Sequence, residues 1–167
     1  LHPEYCAQKV LDSRADIGFA FDGDADILVV VDHKGDIVDG DKLIGVLAKY
    51  LFETNQLGGC KEIVGTVMSN LGLENFIKDQ GLEFFRTNVG DRYMVERMKD
   101  PGSIFGGEPS GHLTFKNFST TGDGIISALK VLECVKYYNK TIRELADSVS
   151  LYPQVLVNVR VDSKPDF

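Results

Sequence analysis

The hydrophobic positions of this chain change period as it is read from the N-terminus, and each change marks an element. Tyr5 to Leu11 reads as the end of a helix with Val10 and Leu11 facing inward, leading to a short apolar strand at Ile17, Phe19 and Phe21. A second apolar run, Ile27 to Val31, follows, and Ile37 and Val38 add a short third. Leu43, Ile44, Val46, Leu47, Tyr50 and Leu51 then recur at helical spacing, with Asp41 the expected N-cap and an end near Phe52. From Glu62 onward strands and helices alternate: a strand at Ile63–Val67, a helix from Asn70 to Gln80 closed by Gly81, a strand at Leu82–Val89, and a helix from Asp91 to Lys99 ended by Pro101. Short strands are expected at Ser103–Phe105 and Leu113–Phe115. Gly124 to Tyr138 is apolar on nearly every side, which predicts a central helix covered all round. Thr141 to Glu144 is a capping box opening a last helix, and Val155, Val157, Val159 and Val161 alternate as one face of a strand.

Strands alternating with helices predict an α/β fold, a layer with a mixed or parallel sheet. One compact domain is expected at residues 41–150, with residues 1–40 the C-terminal part of a preceding domain and residues 151–167 the start of a link to a following one. Cut from the rest of its domain, the 1–40 segment has little core to pack on. The opening without Met and the stop just after a strand suggest an internal piece of a larger protein.

Composition narrows the function classes. Of 167 residues, 43% are hydrophobic and 26% charged, as in a soluble globular protein. The net charge of -7 argues against nucleic acid as a partner. No apolar run approaches the roughly 20 residues of a membrane span, and no signal peptide opens the chain. Three cysteines, Cys6, Cys60 and Cys134, form no CxxC pair, so they read as reduced packing thiols of a cytoplasmic protein.

The stretch with the strongest chemistry joins the first two strands: Asp22-Gly23-Asp24-Ala25-Asp26. Three carboxylates at alternate positions, separated only by small residues, can converge on one point. Such crowding is unfavourable without a cation, and oxygen-only ligands suit a hard one, Mg²⁺ first, with Mn²⁺ or Ca²⁺ as alternatives. A plain acidic hairpin turn competes with this reading. An EF-hand does not, because its sixth position would be Ile27 instead of glycine and its twelfth His33 instead of glutamate.

Three further loops carry polar groups at element ends. Asn88 to Tyr93 places Arg92 where it can grip a phosphate, against the plainer reading of Asp91 as an N-cap. Gly106 to His112 (GGEPSGH) surrounds Glu108, Ser110 and His112 with glycine and proline, so these side chains can bind sugar hydroxyls and His112 can transfer a proton; a plain turn is the alternative. Ser119 to Gly124 leads into the apolar helix as an anion cradle or as simple capping by Thr121 or Asp123. Thr66 to Asn70 is a weaker loop of the same kind.

Taken in order, FDGDAD, VDGD, GTVMSN, VGDRY, GGEPSGH, TTGDG and YPQVLVNVRV resemble the α-D-phosphohexomutase superfamily, over nearly the whole chain from about Ala15 to Val161. Within it the resemblance is to the bacterial branch acting on glucosamine phosphates, a step of amino-sugar metabolism toward cell-wall precursors. It implies a mixed-sheet layer domain of the phosphohexomutase type preceded by the end of another α/β domain, within an enzyme whose domains share one active site. It implies interconversion of glucosamine 6-phosphate and glucosamine 1-phosphate through a phosphoserine enzyme and a bisphosphate intermediate. Mg²⁺ would sit on Asp22, Asp24 and Asp26. Glu108, Ser110, His112 and Gly107 would bind the sugar, His112 and Arg92 would be the catalytic candidates, and Asp91 would lie at the site's rim. The residue after the third aspartate is usually arginine in this superfamily and is Ile27 here. The phosphoserine loop and the C-terminal phosphate-binding domain lie outside this chain, so the chain alone should not turn over substrate. A mutase for mannose or glucose phosphates, and a non-catalytic metal or sugar-phosphate module, are the alternatives.

Overall fold

The computed structural model describes residues 2–157. Two sheets organise it. The first is antiparallel, order β1-β2-β3, from β1 (Ile17–Phe21), β2 (Leu28–Asp32) and β3 (Ile37–Val38), with α1 (Pro3–Ser13) packed on it. The second has order β5-β4-β6-β7. Its central strand β4 (Glu62–Thr66) is buried throughout and runs parallel to β5 (Glu83–Thr87) and β6 (Phe105–Gly107), while β7 (Leu113–Phe115) is antiparallel to β6. The sheet is therefore mixed. The connections are helical, α3 (Leu71–Asp79) between β4 and β5 and α4 (Asp91–Lys99) between β5 and β6. Helices α2 (Gly40–Glu53), α5 (Gly124–Tyr138) and α6 (Ile142–Ala146) complete the layer.

One core joins the two sheets. Leu28, Val30 and Val38 of the first share a buried cluster with Leu43, Ile44 and Leu47 of α2, Ile63 of β4, Phe105 of β6 and Val131 of α5. The 2–40 segment thus has more core than its sequence suggested, because β2 packs on α5 and shares its cluster. Arg143 of α6 adds a polar tie, its Nη1 donating to Asp32 Oδ2 and Asp36 Oδ2, each at 2.6 Å. Burial would raise the Asp32 carboxyl, but the N–H groups of Asp36 and Lys34 and the Arg143 guanidinium outweigh it and hold it below the usual carboxylate range.

Several expectations shift. Asp39, not Asp41, caps α2, accepting from the Asp41 N–H at 2.8 Å. Asp41 instead turns into the protein and accepts from the Asn70 N–H, joining α2 to the start of α3. Leu11 is half exposed while Val10 is buried, because only one face of α1 meets the sheet. The strand expected at Ser103–Phe105 begins at Phe105, since the β4 partner of β6 is Val64 opposite Gly106. Helix α5 is not covered all round: Ile125, Leu129 and Leu132, one stripe at i, i+4 and i+7, face outward. Residues 155–157 form no strand, and Val159 and Val161 lie outside the described residues. The capping box at Thr141 and Glu144 is present. The described cysteines are free, and burial pushes the Cys134 thiol up to about 12, as suits a packing residue. Among the described residues no helix is long and apolar enough to cross a membrane.

Candidate functional site

The acidic loop is built by a turn that closes on itself. Ala25 adopts a left-handed φ of 60°, and its N–H donates to the Asp22 carbonyl. The Ile27 N–H donates to Asp22 Oδ1 at 3.1 Å. These two bonds curl the loop so that Asp22, Asp24 and Asp26 each offer an oxygen within 4.8 Å of the others. Their mutual influence is visible in their ionisation. The Ile27 N–H holds Asp22 below the usual carboxylate range, whereas burial, the Asp22 carboxyl and the charges of Asp24 and Asp22 push Asp26 up. Three partly open carboxylates with no cationic side chain among them fit a hard divalent cation held by oxygen.

The other loops gather at this turn. Ile27 bridges His112 backbone to backbone, and the Leu28 N–H donates to the Gly111 carbonyl at 3.0 Å. Gly111 makes the approach possible: at φ 94° any Cβ would sit 2.1 Å from the Leu28 carbonyl oxygen. The Gly124 N–H, first in α5, donates to the Ala25 carbonyl at 2.8 Å, and Asp123 caps the helix by accepting from Ile126. The Ser119–Gly124 stretch thus both caps α5 and anchors the acidic loop.

His112 stands at the convergence. It is buried, with Nε2 3.4 Å from Asp26 Oδ2 and Nδ1 3.8 Å from Asp91 Oδ1. Asp91, read in the sequence as a possible cap, opens α4 after the N-cap Gly90. Its Oδ2 accepts from Thr121 Oγ1 at 2.9 Å. Glu108 reaches the same helix start, Oε1 accepting from the Gly90 N–H at 2.9 Å. One of its oxygens thus holds the VGDRY loop in place. Ser110 and Arg92 are exposed at the edge of the site. Gly107 is buried at the end of β6, where a Cβ would press into Leu113 and Ile44, so it shapes the strand beneath the loop. The links between Glu108 and Gly90, Thr121 and Asp91, and Gly122 and the imidazole had no sequence signal, because each joins loops that only the packing of the strands and helices brings together. His33 is exposed, on the turn between β2 and β3. In the Thr66–Asn70 loop, Ser69 Oγ accepts from the Thr66 N–H and Asn70 caps α3, so that loop is occupied structurally.

Comparison with known proteins converges on one group. Residues 39–152 match the family model described as phosphoglucomutase/phosphomannomutase, alpha/beta/alpha domain III. A curated protein of Nautilia profundicola named phosphoglucosamine mutase is 52% identical over 165 residues, which is 99% of this chain but 37% of that protein. This chain therefore spans little more than a third of that relative's length. Among solved structures, a phosphoglucomutase/phosphomannomutase family protein of Burkholderia thailandensis aligns with a TM-score of 0.78 and 27% identity over 89% of this chain and 32% of its own. The N-acetylphosphoglucosamine mutase of Aspergillus fumigatus, solved with GlcNAc-6P and magnesium, shares the fold at a TM-score of 0.71 and 20% identity, over 86% of this chain and 37% of its own.

Proposed function

This chain belongs to the phosphoglucomutase/phosphomannomutase family, and from that membership we propose that the enzyme containing it interconverts glucosamine 6-phosphate and glucosamine 1-phosphate. The observation that carries the proposal is the meeting of the DGDAD turn, the GGEPSGH loop and the VGDRY helix start around His112. The half-identical relative named phosphoglucosamine mutase supports the amino sugar over other hexoses.

In this reading residues 1–40 bring the acidic loop, residues 41–150 form a sugar-recognition domain, and residues 151–167 lead toward a further domain. Asp22, Asp24 and Asp26 would hold Mg²⁺, which when bound supplies a positive charge against the phosphoryl group in transfer. Ser110 and the free oxygen of Glu108 face sugar hydroxyls, and Gly107 keeps their loop flat on the sheet. His112 holds or accepts a proton at Nε2, beside the acidic loop. Arg92, exposed at the start of α4, grips a substrate phosphate. The phosphoserine that donates the first phosphoryl group would come from outside this chain. A steady-state assay of the whole enzyme with Mg²⁺ on glucosamine, mannose and glucose phosphates tests the proposal. Clear preference for the amino sugar is expected. Preference for another hexose would correct the substrate, and cation binding without turnover on any of them would favour a non-catalytic module.

A further inference from the structure

Two buried side-chain atoms in the site lack any hydrogen-bond partner although they face each other: His112 Nδ1 and Asp91 Oδ1, 3.8 Å apart. Among the described residues only four buried side-chain polar atoms are unpaired, so finding two of them opposed is a strong constraint. A carboxylate oxygen can only accept. The one arrangement of a neutral imidazole that serves both atoms therefore carries its proton on Nδ1, with the Nε2 lone pair turned toward the acidic loop. From these atoms we infer that Asp91 is a positioning residue, setting the tautomer and orientation of His112.

Three features direct the pair. Thr121 Oγ1 donates to Asp91 Oδ2, which leaves Oδ1 as the oxygen aimed at the ring. Gly122 lies against the imidazole so closely that a Cβ there would fall 2.3 Å from Nε2, so only glycine leaves room for the ring in this position. On the far side Asp26 Oδ2, 3.4 Å from Nε2, competes for the ring as a second acceptor. Once the three loop aspartates share a cation, Asp26 is engaged and Asp91 is the carboxylate left to orient His112. The VGDRY and TTGDG loops, one before the histidine in sequence and one after it, then act together through one proton position. The catalytic consequence rests on the mutase reading above; the tautomer itself does not.

The test separates the two. Long-range proton–nitrogen correlation spectra of the metal-free chain, with isotope-labelled histidine, distinguish His112 from His2 and His33 and report the tautomer directly. In the neutral imidazole, His112 is expected mainly as the Nδ1–H form. Asp91→Asn, whose amide can donate to Nδ1, is expected to convert it to the Nε2–H form, and Thr121→Val, which only loosens Asp91, to give a mixture. A wild-type Nε2–H tautomer, or one unmoved by Asp91→Asn, overturns the inference whatever the enzyme's substrate. In the whole enzyme Asp91→Asn is expected to lower kcat by about 10²-fold or more with KM little changed, as for a misplaced acid–base proton. A converted tautomer with unchanged kcat would refute the catalytic consequence alone.

Discussion

Ile27 sits where the superfamily usually carries arginine, yet its backbone is tied into the site. Its N–H donates to Asp22, and its strand position bridges His112. A change of side chain there alters charge without moving either loop. In the whole enzyme Ile27→Arg is therefore expected to raise turnover of glucosamine 6-phosphate by about 10² to 10³-fold, the scale of one well-placed donor to a developing negative charge. Steady-state kinetics of the two forms decide it, and equal rates would mean that the cation is dispensable in this site. His112 shows the same lesson in reverse. Its residue type was readable from GGEPSGH, but the identity of its neighbours was not, since Asp26, Asp91 and Gly122 come from three other segments.

At the scale of elements, the joint between α2 and α3 depends on Asp41. Burial, opposed by the Asn70 N–H and reinforced by Asp39, pushes its carboxyl up to about 6, and its Oδ1 has no partner. The folded state thus holds this proton more tightly than the unfolded chain. Asp41 costs no stability below its ordinary value of 3.8, costs progressively more as pH rises from there to about 6, and costs a constant amount above. Asp41→Asn keeps an acceptor for Asn70 and removes that cost. Urea melts should show the variant more stable at neutral pH by up to about 3 kcal/mol, since each tenfold gain in proton affinity on folding is worth about 1.4 kcal/mol, with the advantage vanishing toward pH 4. A constant difference across that range would sink the argument. Helix α5 illustrates what pattern cannot say at this scale. Ile125, Leu129 and Leu132 have the composition of a buried stripe, but no described element covers them.

For the whole molecule, the decisive fact is proportion. The chain carries the acidic turn and the GGEPSGH loop with its histidine, yet spans 37% of the length of its relative. On the proposed mechanism the phosphoryl donor lies elsewhere. The purified 167-residue chain is accordingly expected to show no isomerisation of glucosamine 6-phosphate, even with Mg²⁺ and a bisphosphate primer. Detectable turnover in a coupled assay would place a nucleophile within this chain and overturn that mechanism.

What the sequence determined by itself is whatever depends on near neighbours. Hydrophobic period set the strands and helices, Thr141 and Glu144 the capping box, and the Asp-Gly-Asp-Ala-Asp run the clustering of carboxylates, because each needs only residues within a turn or two. The tertiary structure decided the rest. It chose Asp39 over Asp41 as the cap of α2, because Asp41 had a distant partner in Asn70. It left one face of α5 open, because coverage depends on which elements arrive beside it. It brought Asp91, Thr121 and Gly122 around His112 through the packing of the mixed sheet and its loops, and Asp26 through the Ile27–His112 bridge from the other sheet.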